Sequence, residues 1–178
     1  MLQSRKFRIL LASLVCLVGV AAIYGLTLAP TVQGFDSAEL TVGAFTLGLV
    51  HPTGYPLYML IGHAFAQLPL GEVGFRLNLL SAVLGVVSVG LFYYLIAAQT
   101  QSALTALTAA FLFALAPHVW AQSIRAEVYT LHTLLVVSVL CIWFVAQLKN
   151  KPNFALGYFA ILGLAFANHA TSILLGLG

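Results

Sequence analysis

Long apolar runs alternate with short polar links along most of this chain. The runs cover residues 9–29, 75–98, 103–117, 128–147 and 154–175. A membrane-spanning helix needs about 20 apolar residues, because each residue adds about 1.5 Å and the hydrocarbon core is about 30 Å thick. The pattern therefore predicts five spans. The first run is longer than the core of a cleaved signal peptide, so we interpret it as a retained helix.

Residues 30–74 contain two shorter apolar stretches, which flank the sequence "HPTGYP". Stretches of 10 to 14 residues are too short to span a bilayer and are typical of interfacial or re-entrant helices. Pro52 and Pro56 disfavour helix at the residues before them, and Gly54 tolerates unusual backbone angles. The pattern predicts a helix, a rigid elbow and a second helix.

Composition supports an all-α integral membrane protein. The chain is 62% hydrophobic and 6% charged, and its mean hydropathy is +1.06. The net charge of +3 comes from seven scattered Lys and Arg residues, which argues against a nucleic-acid partner. The sequence has no glycine-rich phosphate loop and no metal-type Cys/His cluster, so we expect neither a cofactor nor a metal.

The charged residues predict a topology. Basic residues concentrate on one side of the predicted spans, namely Arg5, Lys6, Arg8, Lys149 and Lys151. The positive-inside rule makes this side, with the N-terminus, cytoplasmic. All four acidic residues then lie on the outer face: Asp36, Glu39, Glu72 and Glu127. This grouping predicts a polar site on that face.

Asp36 and Glu39 are the first candidates for chemistry. Their spacing fits a capping box, with Asp36 as the N-cap and Glu39 at N3. The alternative is a general base at the mouth of a membrane cavity. The two interpretations are compatible, because a cap also fixes the direction of a carboxylate.

Further candidates for substrate binding lie in four short polar stretches. They are His51, Tyr55, Arg76, Asn78, Arg125, Glu127, Tyr129, Asn168 and His169. Each has a structural alternative: His51 precedes a proline, Arg76 fits a lipid-headgroup contact, and Asn168 fits bonding between helices. Tyr55 and Tyr58 are positioned to stack on a sugar ring. Arg125 and Tyr129 are expected to share a helix face, whereas Arg125 and Glu127 are not.

Five motifs occur in order: "DSAEL", "HPTGYPLY", "RLNLLSA", "WAQSIRAEVYTLH" and "GLAFANHAT". Together they resemble the N-terminal part of a bacterial family of multi-pass proteins, long labelled a domain of unknown function. That family is related to the transmembrane protein O-mannosyltransferase of animals and to the GT-C glycosyltransferases. The resemblance implies that residues 1–178 are the N-terminal part of one GT-C-like helical bundle. We expect a longer protein and an inactive fragment.

The resemblance also implies a mechanism. GT-C enzymes transfer a sugar from a polyprenyl-phosphate lipid, and an essential acidic residue lies in their first external loop. Asp36 matches that position and would act on the acceptor hydroxyl, with inversion at the anomeric carbon. Glu39 departs from the adjacent acidic pair of classical mannosyltransferases, so its role is a helper or a cap. His51, Arg76 and Arg125 are candidates to offset the phosphate charge.

The leading hypothesis is a mannosyltransferase of the bacterial plasma membrane, acting on a protein, lipid or glycan. A transporter or flippase is the first alternative, since it would use the same buried polar groups. A non-catalytic membrane subunit is the second. A transporter is expected to have repeated halves with paired broken helices, and the sequence shows no internal repeat.

Overall fold

The computed structural model describes residues 2–149 and 154–176, and all regular elements in these ranges are helices. The helices are α1 (Leu2–Thr27), α2 (Asp36–Thr46), α3 (Pro56–Ala66), α4 (Val73–Thr100), α5 (Ala103–Ala114), α6 (Pro117–Ser123), α7 (Val128–Lys149), α8 (Phe154–Asn168) and a 3₁₀ helix (Ala170–Gly176). The predicted all-α membrane fold is confirmed. The predicted polar link with Lys151 lies outside the described residues.

Three of the described helices are long and apolar enough to span a membrane: Gln3–Thr27 of α1, Val73–Thr100 of α4 and Val128–Leu148 of α7. The third predicted span is broken, because α5 and α6 meet at an angle of 68° next to Pro117. Counting that pair as one span gives up to four. The fifth predicted span contains a helix of only 15 residues, which ends at Asn168. The five predicted apolar runs thus correspond to three long helices, the bent pair α5 and α6, and the shorter apolar helix α8.

Helix α4 lies at the centre of the bundle and packs against α1, α5 and α7. Two apolar cores form around it. One contains Cys16, Tyr24 and Val89, and the other contains Tyr58 and Leu77 beneath α2 and α3. The outer faces of α1, α5 and α8 expose large apolar side chains such as Leu14, Leu112 and Phe159. Such faces are typical of helices in contact with lipid.

The segment between α1 and α4 has the predicted helix, elbow and helix. Pro56 is the first residue of α3, where its missing N–H costs no hydrogen bond. Gly54 has a φ of 84°, which is readily adopted only by glycine. Helices α2 and α3 pack against each other and against α4.

One end of the bundle gathers most of the irregular chain, and we call it the acidic end. The N–H of Ala29 donates to the carbonyl of Ile124 there, at 2.9 Å. All four acidic residues lie at this end, which also carries α2, α3 and the break after α8. Arg5 and Arg8 lie at the opposite end, beside Gln101 and Ser102.

Candidate functional site

Asp36 is the first residue of α2. The N-cap is Phe35, which has a φ of 59°, and no side chain bonds the helix N-terminus. The predicted capping box is therefore wrong, because the helix begins one residue earlier than that motif requires, with Asp36 inside its first turn. The Asp36 carboxylate is exposed and has no hydrogen bond or ion pair among the described residues. Its charge lies at the positive end of the helix dipole.

Glu39 faces the elbow instead of the helix N-terminus. Its Oε1 accepts a hydrogen bond from the backbone N–H of His51 at 2.7 Å, and its Oε2 lies 2.7 Å from His51 Nδ1. The other ring nitrogen, Nε2, lies 3.0 Å from the Tyr55 hydroxyl. The hydrogen bonds from His51 lower the pKa of Glu39. The hydrogen bond to Glu39 raises the pKa of His51, against a weaker effect of burial.

Four rings at the acidic end, which we call the ring cluster, connect α3, α7 and the break after α8. They are Tyr55, Tyr129, His132 and His169. The ring of His169 stacks on Tyr55 with centroids 5.8 Å apart, and it lies 5.6 Å from Tyr129 and 5.2 Å from His132. The structure therefore brings Tyr55, Tyr129 and His169 together, although they are far apart in the sequence.

The chain leaves α8 through Asn168 and His169. Asn168 is fully buried, and its Nδ2 donates to the carbonyl of Val128 at 3.3 Å. His169 Nδ1 lies 2.8 Å from the Thr171 hydroxyl, and the two nitrogens of His132 lie 3.4 Å from Thr171 Oγ1 and 3.3 Å from Ser172 Oγ. These contacts fix the break between α8 and the 3₁₀ helix against the start of α7.

Arg125 and Glu127 form an ion pair with Nε and Oε1 3.2 Å apart. The expectation that they do not face each other is wrong, because residues 124–127 are not helical. For the same reason Arg125 shares no helix face with Tyr129. The Glu127 side chain is only 5% exposed, and burial raises its pKa against the opposing charge of Arg125. The Arg125 side chain is 38% exposed.

The Arg76 guanidinium binds backbone carbonyls in the turn between α3 and α4. Its Nε donates to the carbonyl of Leu70 at 2.9 Å, and its terminal nitrogens donate to the carbonyls of Gly71 and Ala66. These bonds satisfy carbonyls left without partners where α3 ends. Arg76 therefore holds a loop and has little capacity left for a phosphate.

Asn78 is a scaffold residue. It is fully buried, and its Nδ2 donates to the carbonyls of Ala29 and Thr31 at 2.8 and 2.9 Å. Its Oδ1 accepts from the N–H of Ala126 at 2.8 Å. The amide thus ties the segment after α1 to the segment before α7, and it is not directed at a substrate.

The predicted sugar-stacking surface on the elbow tyrosines is not available. Tyr58 is fully buried, and Tyr55 is 6% exposed with its ring stacked on His169.

Conversely, His132, Thr171 and Ser172 belong to the site but are not among the candidates from the sequence. His132 contacts Thr171 and Ser172, which lie 39 and 40 positions later in the sequence, so no local motif links the three residues. Within residues 2–149 and 154–176, no group of three or more His, Cys, Asp or Glu residues could hold a metal ion.

Comparison with known proteins agrees with the sequence motifs. The family described as "Protein O-mannosyl-transferase TMEM260 N-terminal domain" matches residues 36–177. The mouse protein O-mannosyl-transferase TMEM260 is 34% identical over 168 residues, which are 91% of this chain and 24% of that protein. The Dictyostelium discoideum protein of the same name is 28% identical over 152 residues, 80% of this chain and 19% of that protein.

No solved structure matches the chain. The chain spans about a quarter or less of the length of these two curated relatives. The match covers α2, the elbow, the ring cluster and every candidate site residue. The resemblance inferred from the five motifs is confirmed, and the chain belongs to the family of protein O-mannosyl-transferase TMEM260 N-terminal domains.

Proposed function

We propose that this chain carries the catalytic base of a membrane mannosyltransferase. In this proposal, mannose passes from a polyprenyl-phosphate donor to an acceptor hydroxyl on the extracytoplasmic face of the bacterial plasma membrane. Family membership supports the reaction class, because both relatives are named protein O-mannosyl-transferases. The concentration of Arg5, Lys6 and Arg8 at the end opposite the site supports the orientation.

The observation that carries the proposal is the exposure of the Asp36 carboxylate and its lack of a bonding partner among the described residues. Glu39 is bound to His51 through both oxygens, and Glu127 is buried beside Arg125. Asp36 is exposed and has no such partner among the described residues, yet its charge acts on His51, Tyr55 and Glu127. An exposed, uncommitted carboxylate next to a polar cluster is suited to take a proton from an incoming hydroxyl.

The reaction would proceed by direct displacement. Asp36 accepts the proton as the acceptor oxygen attacks the anomeric carbon. The bond between that carbon and the phosphate oxygen breaks, and the phosphate leaves with the electron pair. A single displacement inverts the anomeric configuration. A positioned general base contributes about 10²- to 10⁴-fold to such a rate.

Arg125 is the best supported of the three cations considered for the donor phosphate. Arg76 is occupied by three carbonyls, and both ring nitrogens of His51 have partners. Arg125 contacts Glu127 through Nε alone, so its terminal nitrogens remain available among the described residues. Two parallel N–H groups match the geometry of two phosphate oxygens. Glu127 would then hold the guanidinium in position.

A transfer assay on the intact protein in proteoliposomes tests the proposal. Polyprenyl-phosphate mannose and GDP-mannose are supplied separately, with protein, lipid and glycan acceptors. We expect transfer from the lipid-linked donor alone, and at least a 100-fold loss in Asp36→Asn. Glu72→Gln is the matched control, because Glu72 is another exposed acid at the same end. Wild-type rates in Asp36→Asn would refute the base, and transfer from GDP-mannose alone would refute the donor.

A further inference from the structure

Glu39 holds His51 through two hydrogen bonds, to the backbone N–H and to ring Nδ1, both at 2.7 Å. An ionised carboxylate only accepts hydrogen bonds, so Nδ1 carries a proton. The backbone bond fixes the position of the residue, and the ring bond fixes its orientation. Glu39 thus joins α2 to the elbow and determines the direction of the imidazole.

The opposite nitrogen of the ring faces a phenol. His51 Nε2 lies 3.0 Å from the Tyr55 hydroxyl, which accepts from a protonated Nε2 or donates to an unprotonated one. In the first case the Tyr55 hydroxyl turns its own proton elsewhere, and the carbonyl of Pro52 lies 3.5 Å away. The Glu39–His51–Tyr55 chain therefore accommodates a ring with protons on both nitrogens.

The charges around His51 favour that doubly protonated ring. The carboxylates of Glu39, Asp36 and Glu127 all act on it. The Arg125 guanidinium is paired with Glu127, which leaves the other two carboxylates without an arginine or lysine partner among the described residues. A negatively charged donor headgroup would be repelled by such a cluster unless a further positive charge were present.

We propose that Glu39 and Tyr55 are positioning residues that keep His51 as an imidazolium, which supplies a fixed positive charge for the donor phosphate. This inference rests on the proposed function. The phosphate gains one negative charge when its bond to the sugar breaks, so a nearby cation stabilises the transition state more than the ground state. Both N–H groups of the ring are occupied, so His51 acts through charge and not through a hydrogen bond. Its side chain is 35% exposed, which leaves one edge open to the headgroup.

The hydrogen bond from Glu39 is the largest cause of the raised pKa of His51, and the charges of Glu39, Asp36 and Glu127 add to it. The imidazolium is fully present below the ordinary pKa of histidine and is lost as the pH rises through the raised value. Activity should therefore fall on the alkaline side of that value. Removal of the Glu39 charge should move this alkaline limb to lower pH.

The pH dependence of kcat/KM for the lipid-linked donor tests the inference in the intact protein. In Glu39→Gln we expect the alkaline limb to move to lower pH, with rates near wild type at low pH and lower rates at pH values between the two limbs. In His51→Lys we expect activity without this limb, because lysine keeps its charge to about pH 10. Tyr55→Phe should shift the limb less than Glu39→Gln. Glu72→Gln is again the control.

A second readout requires no activity. Histidine ring resonances in the isotope-labelled intact protein, with His51 assigned through His51→Asn, report its protonation directly. We expect His51 to titrate above the ordinary histidine value and to lose this shift in Glu39→Gln. An unshifted His51, parallel rate profiles for Glu39→Gln and wild type, or an unchanged alkaline limb in His51→Lys would each overturn the inference. Full activity in Asp36→Asn would refute the proposed base, whereas His51 in that variant should still titrate above the ordinary histidine value through its hydrogen bond to Glu39.

Discussion

Asn78 offers the clearest test of how the acidic end is held together. Its replacement by leucine keeps a similar volume but removes every polar atom of the side chain. The carbonyls of Ala29 and Thr31 and the N–H of Ala126 then lose their partner, and the bond to Ala126 is fully buried. These groups belong to segments that approach the site from α1 and α7, so their loss should loosen both segments together.

The expected cost follows from the three bonds. Polar bonds between membrane helices average about 0.6 kcal/mol, and a typical hydrogen bond contributes up to about 1.5 kcal/mol. Asn78→Leu should therefore lower the free energy of unfolding by about 2–4 kcal/mol. For a domain of this size such a loss lowers Tm by about 5–15 °C.

Thermal unfolding of the intact protein in detergent measures this effect. Gln67→Leu is the matched control, because the exposed Gln67 amide makes a single bond of 3.4 Å to His63 in its own turn. We expect the control to change the free energy of unfolding by less than about 0.5 kcal/mol. Equal Tm values for Asn78→Leu and the control would show that the amide does not tie the two segments.

Substitutions at the two arginines of the acidic end distinguish a structural role from a role in donor binding. Arg76→Gln should lower stability by about 1–3 kcal/mol through its lost carbonyl bonds while donor KM at permissive temperature is kept. Arg125→Lys should raise donor KM or lower kcat at nearly constant Tm, because lysine keeps the charge beside the buried Glu127 but lacks the two parallel N–H groups, and the reverse outcome would exchange the two roles. Gly62→Ala should cost about 1–3 kcal/mol, because the new Cβ would lie 2.9 Å from Ala44 Cβ and 3.1 Å from Leu77 Cδ1. Gly163→Ala in α8 meets nothing within 4 Å and should be neutral or slightly stabilising in the same Tm measurement.

Hydrophobic patterning predicted the elements well where the pattern is long or the breaker is strong. Residues 75–98 and 128–147 are helical, as is the predicted pair around the elbow at Pro52 and Pro56. The predicted fifth run extends past the end of α8, because Ile173, Leu174 and Leu175 continue the apolar pattern beyond the mostly polar residues 168–172. The chain leaves the α-helix there after Asn168, whose side chain bonds the carbonyl of Val128.

The sequence indicated which residue types gather at the acidic end, but not their partners. A buried polar group such as Asn78 needs partners, and the sequence does not reveal that these are backbone groups 47 to 49 positions away. The pairing of Glu39 with His51 spans 12 positions and depends on the elbow angle. The local spacing suggested a capping role for Glu39, because a carboxylate in the first turn of a helix commonly caps its N-terminus.

The proposed mechanism depends most on Asp36 as the group that receives the acceptor proton. The most direct measurement is single-turnover transfer in the intact protein, made alongside donor binding, for wild type, Asp36→Asn and Glu72→Gln. We expect donor affinity within about threefold of wild type for both variants, because Asn keeps the size of Asp36. Transfer should slow by at least about 100-fold in Asp36→Asn alone. Transfer at the wild-type rate in Asp36→Asn would contradict the role of Asp36 as the base.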